Sequence, residues 1–329
     1  MKMFRAVSCI VTVGAVLLTC VATQAQQPNP TEGATTGPVV KLNLVVVDSD
    51  NRTVDKIQKE DVTVIENKLE QQILSFEADE RPLDIAIAID SSGSFKDIFA
   101  PAIEAAKVII NNRRPQDEIF IERFISSDKI QKVQEFTTDN EALLKGLDTL
   151  IIEGGQSAVV DAVYLAGNHL AQHKGNEDRR KALVLLTDGE DRMSYYKLDD
   201  VIKLLREKGI QVYLLAVTQK LQSDTGFIRA SPKQRAEQLL NRLANETGGR
   251  LFISNTPKEL QQSTAEIVRG FQQSFRITYQ SSNNSDKKGF RKVAVNVTPS
   301  GSSKRKAVTT PGYFYASVKD IPKKETATP

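Results

Sequence analysis

The sequence predicts an α/β protein: a doubly wound, mostly parallel sheet joined to a smaller β-rich unit built from the N- and C-terminal segments. Two observations support this fold class. From Leu83 onward, apolar runs such as LDIAIAID and KALVLLTD alternate with segments of helical periodicity. That alternation is typical of parallel strands covered by helices on both faces. At both ends of the chain, period-two apolar segments follow one another without a helix between them.

Residues 1–25 have the features of a secretory signal peptide. Lys2 and Arg5 form a basic start, an apolar run follows, and small residues suitable for cleavage end at Ala25. We therefore expect a secreted or periplasmic protein, cut after Ala25, with no membrane span in the mature chain. Two alternatives stay open: an uncleaved membrane anchor, for which the run is short of the ~20 residues needed, and a lipid attached at Cys20.

Charge and cysteine content narrow the class of protein. Cys9 and Cys20 both lie in the predicted signal peptide, so the rest of the chain has no disulfide and depends on its core. The formal net charge is +3, and Lys2 and Arg5 supply two of these charges. The remainder is nearly neutral, whereas a nucleic-acid-binding protein shows a clustered basic surface. Nucleic acid is therefore not an expected partner.

The terminal segments are expected to form one β-rich unit. Residues 26–38, rich in Pro, Gly and Thr, are predicted to be a disordered leader, and residues 319–329 a disordered tail. Residues 39–80 contain the strand VVKLNLVVV and a hairpin around Asn67 and Lys68. Residues 273–318 contain FRITYQ, KVAVNVTP and GYFYASV. Neither segment alone has enough strands for a stable sheet, so we expect the two to pair.

The segment between them, residues 81–272, is expected to form the α/β domain. Its predicted strands lie at 83–90, 117–125, 129–136, 181–188, 210–217 and 250–254. Its predicted helices lie at 98–110, 142–150, 161–173, 198–209, 231–249 and 257–274. In the fifth helix, Ser231 is a predicted N-cap, Pro232 occupies the first turn, and Gly248 begins the end signal.

Three segments of this domain carry oxygen-bearing side chains to strand ends or to a helix start. The sequence Asp90-Ser-Ser-Gly-Ser follows the first α/β strand, Gly-Gly-Gln-Ser157 leads into a helix, and Asp188 follows ALVLLT. In an open parallel sheet, ligands bind outside the carboxyl ends of the strands. Hydroxyl and carboxylate oxygens suit a hard cation such as Mg²⁺.

These motifs resemble the von Willebrand factor A (VWA) domain with its metal-ion-dependent adhesion site (MIDAS). Asp90, Ser92 and Ser94 match the family's Asp-x-Ser-x-Ser motif, and Asp188 matches its Asp-Gly motif. Ser157 stands where the family has threonine; it keeps the hydroxyl but lacks the methyl group that restrains the rotamer. The resemblance implies a Rossmann-like fold, Mg²⁺ or Mn²⁺ bound by these five residues, and a protein ligand that offers a carboxylate to the metal.

The resemblance covers roughly residues 82–270. The flanking β segments, including TTPGYFY, resemble a narrower group of secreted proteins that carry the VWFA-related acidobacterial domain. That group supplies no biochemical activity to carry over to this chain.

We therefore expect a secreted, non-enzymatic binding protein. One alternative is a metal-dependent hydrolase or an enzyme accessory, although no general base is apparent beside the metal motif. Another is a structural envelope protein whose metal site has degenerated at Ser157. A third possibility for the motif itself is a turn network without metal, in which Asp90 caps the next helix.

Two other patterns are interpreted structurally. His169 and His173 are four residues apart on a helix, but Leu170 replaces the glutamate of the metalloprotease motif, so they are expected to be surface histidines. The acidic stretch at 48–51 lacks the Gly and Glu of an EF-hand loop at the required positions, which predicts a turn.

Overall fold

The computed structural model describes residues 37–173, 178–219, 221, 230–300 and 304–315. The predicted signal peptide, most of the predicted leader and the predicted tail lie outside these residues. The last three residues of the predicted strand at 312–318 lie outside them as well. The predicted domain boundaries stay predictions.

The described residues form fourteen strands, six α-helices and two short 3-10 helices, Lys59–Asp61 and Gly93–Phe95. The strands are β1 (Val39–Val47), β2 (Val62–Glu66), β3 (Leu69–Gln71), β4 (Ile73–Ala78), β5 (Leu83–Asp90), β6 (Glu118–Phe124), β7 (Ile130–Thr137), β8 (Arg180–Thr187), β9 (Ile210–Ala216), β10 (Arg250–Ile253), β11 (Phe275–Gln280), β12 (Gly289–Val297), β13 (Lys306–Val308) and β14 (Gly312–Tyr315). The helices are α1 (Lys96–Asn112), α2 (Asn140–Asp148), α3 (Val159–Gln172), α4 (Leu198–Glu207), α5 (Pro232–Thr247) and α6 (Pro257–Gln272).

The central sheet has six strands in the order β10-β9-β8-β5-β6-β7. The first five are parallel to one another, which confirms the doubly wound α/β prediction. The sixth strand, β7, is antiparallel to β6. Residues 125–129 join these two strands, and a connection this short allows only a hairpin, because a parallel crossover needs a dozen or more residues.

Helices cover both faces of this sheet. Helices α1, α2 and α6 pack on one face against Ile85, Ile87 and Ile89. Helices α3, α4 and α5 pack on the other face, against Ala86 and Ala88. Every residue of β5 is therefore buried. A strand that is covered on both faces has a nearly continuous apolar sequence, which explains the apolar residues in LDIAIAID.

The terminal segments form two further antiparallel sheets, in the orders β13-β1-β11-β4 and β14-β12-β2-β3. Each sheet combines strands from the N-terminal and C-terminal parts of the chain. β1 pairs with β11, and β2 pairs with β12. A common apolar core, which includes Leu42, Val64 and Tyr279, joins the two sheets. The expectation that the two segments pair is confirmed.

Short sequence signals behave as expected in three places. Asn67 and Lys68 have φ of 52° and 66°, as a two-residue type I′ hairpin requires. The Ser231 side chain accepts a hydrogen bond from Gln234 N and caps α5, which ends at Gly248 with φ 74°. The acidic stretch at 48–51 is a turn. By contrast, α2 begins two residues before the predicted start, because the Asp139 carboxylate caps it.

The two histidines are surface residues that are only partly exposed. Their side chains are 25% and 18% exposed, for His169 and His173 respectively. Both rings stack on Phe136, with centroid distances of 5.2 Å and 3.7 Å. The cause is the hairpin return of β7, which carries Phe136 beside α3 and was not assigned an orientation from the sequence.

No helix among the described residues is long and apolar enough to cross a membrane.

Glu122 is an ionisable group inside this fold. It lies on β6, is 2% exposed, and its Oε1 has no hydrogen-bond partner among the described residues. Burial raises the pKa of Glu122 to about 8, and the charge of Lys132 opposes this shift only in part. The folded protein therefore holds a proton on Glu122 at neutral pH, because the uncharged form is the cheaper one to bury.

This burial predicts a pH dependence of stability. Between the ordinary glutamate value of 4.5 and the folded pKa of about 8, unfolding releases a proton from Glu122. The contribution of Glu122 to the free energy of unfolding therefore falls as pH rises through this window, by up to about 1.4 kcal/mol per pH unit, and is level above it. Urea unfolding from pH 5 to pH 8 should show a smaller fall for Glu122→Gln than for the wild type. The exposed control Glu70→Gln should follow the wild type, and parallel curves for Glu122→Gln and the wild type would refute the assignment.

Candidate metal centre

The five residues predicted from the sequence meet at the carboxyl edge of the central sheet. Asp90 is the last residue of β5, and Asp188 directly follows the neighbouring parallel strand β8. Between β5 and α1, Ser92 directly precedes the 3-10 helix Gly93–Phe95 and Ser94 lies within it, and Ser157 lies just before α3. The ends of two neighbouring strands and the loop before α3 thus converge, as the topology requires.

The Asp90 carboxylate is completely buried and lies at the centre of the cluster. Its Oδ1 accepts a hydrogen bond of 2.9 Å from Ser92 N, and its Oδ2 accepts one of 2.7 Å from the Thr187 hydroxyl. The Ser157 hydroxyl lies 3.2 Å from Oδ2. Burial, and then the negative charge of Asp188, raise the pKa of Asp90 to about 6.

Asp188 is joined to the same cluster through the serines. It is 3% exposed, and its Oδ1 accepts a 3.0 Å hydrogen bond from Glu190 N. Burial raises the pKa of Asp188, while a hydrogen bond from Ser94 opposes the shift. The hydroxyls of Ser94 and Ser92 lie 3.2 Å apart. The two carboxylates and three hydroxyls therefore form one continuous network.

No basic side chain among the described residues forms an ion pair with Asp90 or Asp188. The neighbouring Arg192 pairs with Glu190 instead, at 2.6 Å. The Ser91 hydroxyl is also buried and has no partner in the described part of the chain. The donor set consists of carboxylate and hydroxyl oxygens without nitrogen or sulfur, which suits Mg²⁺ or Mn²⁺. The residues present therefore fit the ion that the sequence motif implies.

The loop that carries Ser157 is held by its backbone. Gly155 has φ 125°, and a Cβ there would lie 2.6 Å from Ile125 Cγ2, so only glycine fits without displacing the neighbour. Ala158 N donates to Ile125 O, and Arg192 N donates to Ser157 O. These bonds fix Ser157 between the β6 end and the loop after β8, and so restrain the position of its hydroxyl.

Thr187 is a member of this network that the sequence interpretation missed. Its hydroxyl donates to Asp90 and accepts a 3.0 Å hydrogen bond from Gly189 N. It therefore ties the end of β5 to the turn that carries Asp188. The available signal was a hydroxyl residue at the end of an apolar strand, directly before the aspartate.

Asp161 is a second residue that was missed. It lies in the first turn of α3, is 2% exposed, and accepts hydrogen bonds from the backbone N–H groups of Tyr195 and Tyr196 at 2.9 Å and 2.8 Å. It anchors the loop that follows Asp188. The signal was a single acid within the apolar stretch VVDAVYLA.

Asp90 does not cap the next helix, so that part of the metal-free alternative is wrong. Helix α1 begins at Lys96, and its N-cap residue, Phe95, provides no side-chain cap. The Asp90 carboxylate instead accepts hydrogen bonds from Ser92 N and from the Thr187 hydroxyl.

The surface around the cluster carries apolar side chains. Ile151, Met193 and Tyr195 are 57%, 56% and 84% exposed and belong to the loops at this edge. A cavity of about 210 Å³ lies between the N-terminal turns of α1 and α6 and is lined in part by Pro101 and Leu260. The face therefore combines a central oxygen cluster with exposed apolar contacts.

A family model for the von Willebrand factor type A domain matches residues 84–266. An uncharacterised protein of Borreliella burgdorferi is 27% identical in an alignment of 188 positions that covers 52% of this chain and 54% of that protein. The chain thus spans about half the length of this curated relative.

Two solved structures are among those similar to this chain. A von Willebrand factor type A protein from Catenulispora acidiphila is 13% identical, with 84% of this chain and 74% of that chain covered and a TM-score of 0.48. Proximal thread matrix protein 1 from the mussel byssus, solved with zinc in its MIDAS motif, is 18% identical, with 62% and 48% covered and a TM-score of 0.46. The family model matches more than half of the residues of the present chain, so this chain belongs to the von Willebrand factor type A domain family.

Proposed function

We propose that this protein is a secreted, non-enzymatic binding protein that uses Mg²⁺ or Mn²⁺ at the carboxyl edge of its sheet to engage a carboxylate of a partner protein. VWA domains commonly bind proteins, often with a divalent metal. One observation carries the proposal: Asp90 and Asp188 are buried beside one another, without an ion-pair partner among the described residues. Burying two such charges unpaired is costly, and a bound cation removes the cost.

The ion would be held by Asp90, Ser92, Ser94, Ser157 and Asp188. Its chemistry there would be that of an electrophile for an oxygen ligand from outside. Three of the five side chains are neutral hydroxyls, so the site cancels the ion's charge only in part and leaves it attractive to a further carboxylate. A site built only to retain a cation would use more acids.

The surface around the cluster supports a protein as the ligand. Ile151, Met193 and Tyr195 are all more than half exposed on the loops at this edge. Methionine and aromatic side chains are enriched in protein interfaces, where they supply apolar contact area around a polar centre. A partner acid at the metal, flanked by apolar side chains, fits this surface.

The arrangement of the other ionisable groups favours binding over catalysis. Both histidines stack on Phe136, and His169 and His173 lie within hydrogen-bond distance of Glu135 and Glu118 respectively. Neither forms a hydrogen bond with the cluster in the described part of the chain. The nearby Glu190 is engaged by Arg192. The hydroxyl of Ser157 is within 3.2 Å of Asp90, which favours a competent metal site over a degenerate one.

Metal titrations of site variants test the ion. Asp90→Ala and Asp188→Ala should reduce Mg²⁺ or Mn²⁺ affinity most, because each removes a charge that balances the cation. Ser157→Ala should cost less, since water can replace one hydroxyl, and Ser157→Thr should preserve or tighten binding. Bound ion should stabilise the wild type by about 2.7 kcal/mol at a hundredfold excess over Kd.

Calorimetry and thermal melts measure both effects. The exposed control Asp200→Ala should behave as the wild type. Negligible binding heats in wild type and Asp90→Ala alike, with no thermal shift at millimolar ion, would contradict the metal proposal.

Affinity capture from the native envelope or culture fluid tests the partner and the location together. The native protein should begin at Gln26, and it should capture a protein in Mg²⁺ that chelator releases. Asp90→Ala, verified as folded by circular dichroism, should fail to capture it. An intact Met1 terminus would contradict export with cleavage, and capture that is insensitive to both chelator and Asp90→Ala would contradict metal-dependent binding.

A further inference from the structure

A second group of potential metal ligands lies at the opposite, amino edge of the central sheet. We call Asp84, Glu118 and His173 the amino-edge cluster. Each residue offers one ligand atom, and these atoms all lie within 4.8 Å of one another. Asp84 and Asp90 stand at the two ends of β5, six residues apart, and a strand of that length spans about 20 Å. The amino-edge cluster is therefore separate from the candidate metal centre.

The fold brings the three ligands together from different elements. Asp84 on β5 and Glu118 on β6 are direct neighbours in register, so their side chains share one face of the sheet. That face is the one covered by α3, and His173 directly follows the last residue of α3. The His173 ring is fixed by stacking on Phe136 at 3.7 Å, and its Nε2 lies 3.2 Å from Glu118 Oε2.

An unpartnered buried oxygen points to a ligand in this cluster. The Asp84 side chain is 1% exposed, and its Oδ2 has no hydrogen-bond partner among the described residues. The ion pair with Arg179 does not account for it, because Arg179 Nε bonds to Oδ1, at 2.6 Å. A carboxylate oxygen buried without a donor is costly, and a cation would satisfy it.

Arg179 holds the two carboxylates of the cluster in position but contacts only one oxygen of each. Its Nε contacts Asp84 Oδ1, and its Nη2 lies 3.4 Å from Glu118 Oε1. Asp84 thus contacts the guanidinium through Oδ1 and Glu118 through Oε1. Asp84 Oδ2 and Glu118 Oε2 are left for a further partner. Holding the outer oxygens of ligating carboxylates is a common role of residues behind a metal site.

We propose that Asp84, Glu118 and His173 bind a transition-metal ion of the zinc class. One imidazole nitrogen and two carboxylate oxygens are a ligand set that Zn²⁺ accepts, with a fourth position left for water. The nitrogen distinguishes this cluster from the all-oxygen set at the other edge, because imidazole favours zinc over magnesium. The ion lies between His173 Nε2 and Glu118 Oε2, which are 3.2 Å apart, and it fastens the end of α3 to β5 and β6.

Zinc binding to tag-free full-length protein, in millimolar Mg²⁺, tests this proposal. Zinc content after dialysis should be one per chain in the wild type and in Asp90→Ala. His173→Gln and Glu118→Gln should weaken zinc binding by about tenfold or more, the scale on which changes around a metal site act. His169→Gln is a matched control, since it removes the other histidine of the same helix and should leave zinc binding unchanged.

A spectroscopic readout identifies the ligand. Cu²⁺ used as a probe should show imidazole-nitrogen coupling in pulsed electron paramagnetic resonance in wild type and His169→Gln, and lose it in His173→Gln. Melting curves recorded without metal verify that the variants fold. If His173→Gln does not fold, zinc binding by Glu118→Gln is the test. Absence of zinc from the wild type, or zinc that is lost in Asp90→Ala but kept in His173→Gln, would overturn the proposal.

Discussion

The burial of two neighbouring carboxylates, Asp90 and Asp188, is the constraint on which the carboxyl edge depends. Each is at most 3% exposed, and burial raises the pKa of both. Hydroxyl and backbone donors offset part of this penalty, and the charge of Arg192 opposes the shift at Asp188, but no side-chain cation among the described residues forms an ion pair with either acid. A buried charge without a partner is rarely kept unless it serves a function. The proposed divalent ion resolves this conflict between burial and charge.

The surrounding structure holds the donors in place around these two acids. Thr187 links the Asp90 carboxylate to the turn after β8, and Asp161 anchors the following loop through two backbone bonds. Gly155 allows the third loop to approach Ile125 closely enough to position Ser157. The rigid parallel sheet fixes the strand ends, so the site is organised before any ligand arrives. Such preorganisation lowers the cost of binding.

Much of this arrangement could be predicted from local sequence. The strands β5 and β8 are buried on both faces, so their apolar runs are long and their polar endings at Asp90 and Asp188 stand out. The N-cap at Ser231 and the hairpin at Asn67 are signals contained within a few residues. The pairing of the terminal strands followed from their number, because neither set makes a sheet alone.

Features that depend on distant partners could not be predicted in the same way. The partial burial of His169 and His173 depends on Phe136, which reaches them only because β7 runs antiparallel to β6. The role of Thr187 depends on the neighbouring strand β5, and that of Asp161 on a loop more than thirty residues away. The register that places Asp84 beside Glu118 is likewise a property of the sheet and not of either segment.

The central claim is that the carboxyl-edge oxygens bind a divalent cation. Crystals of the protein soaked in Mn²⁺, with diffraction measured for anomalous scattering, test it most directly. The account predicts an anomalous peak within coordination distance of the cluster formed by Asp90, Ser92, Ser94, Ser157 and Asp188. A crystal saturated with Mn²⁺ that has no peak at this cluster, and has the five side chains bonded only to one another, would contradict it.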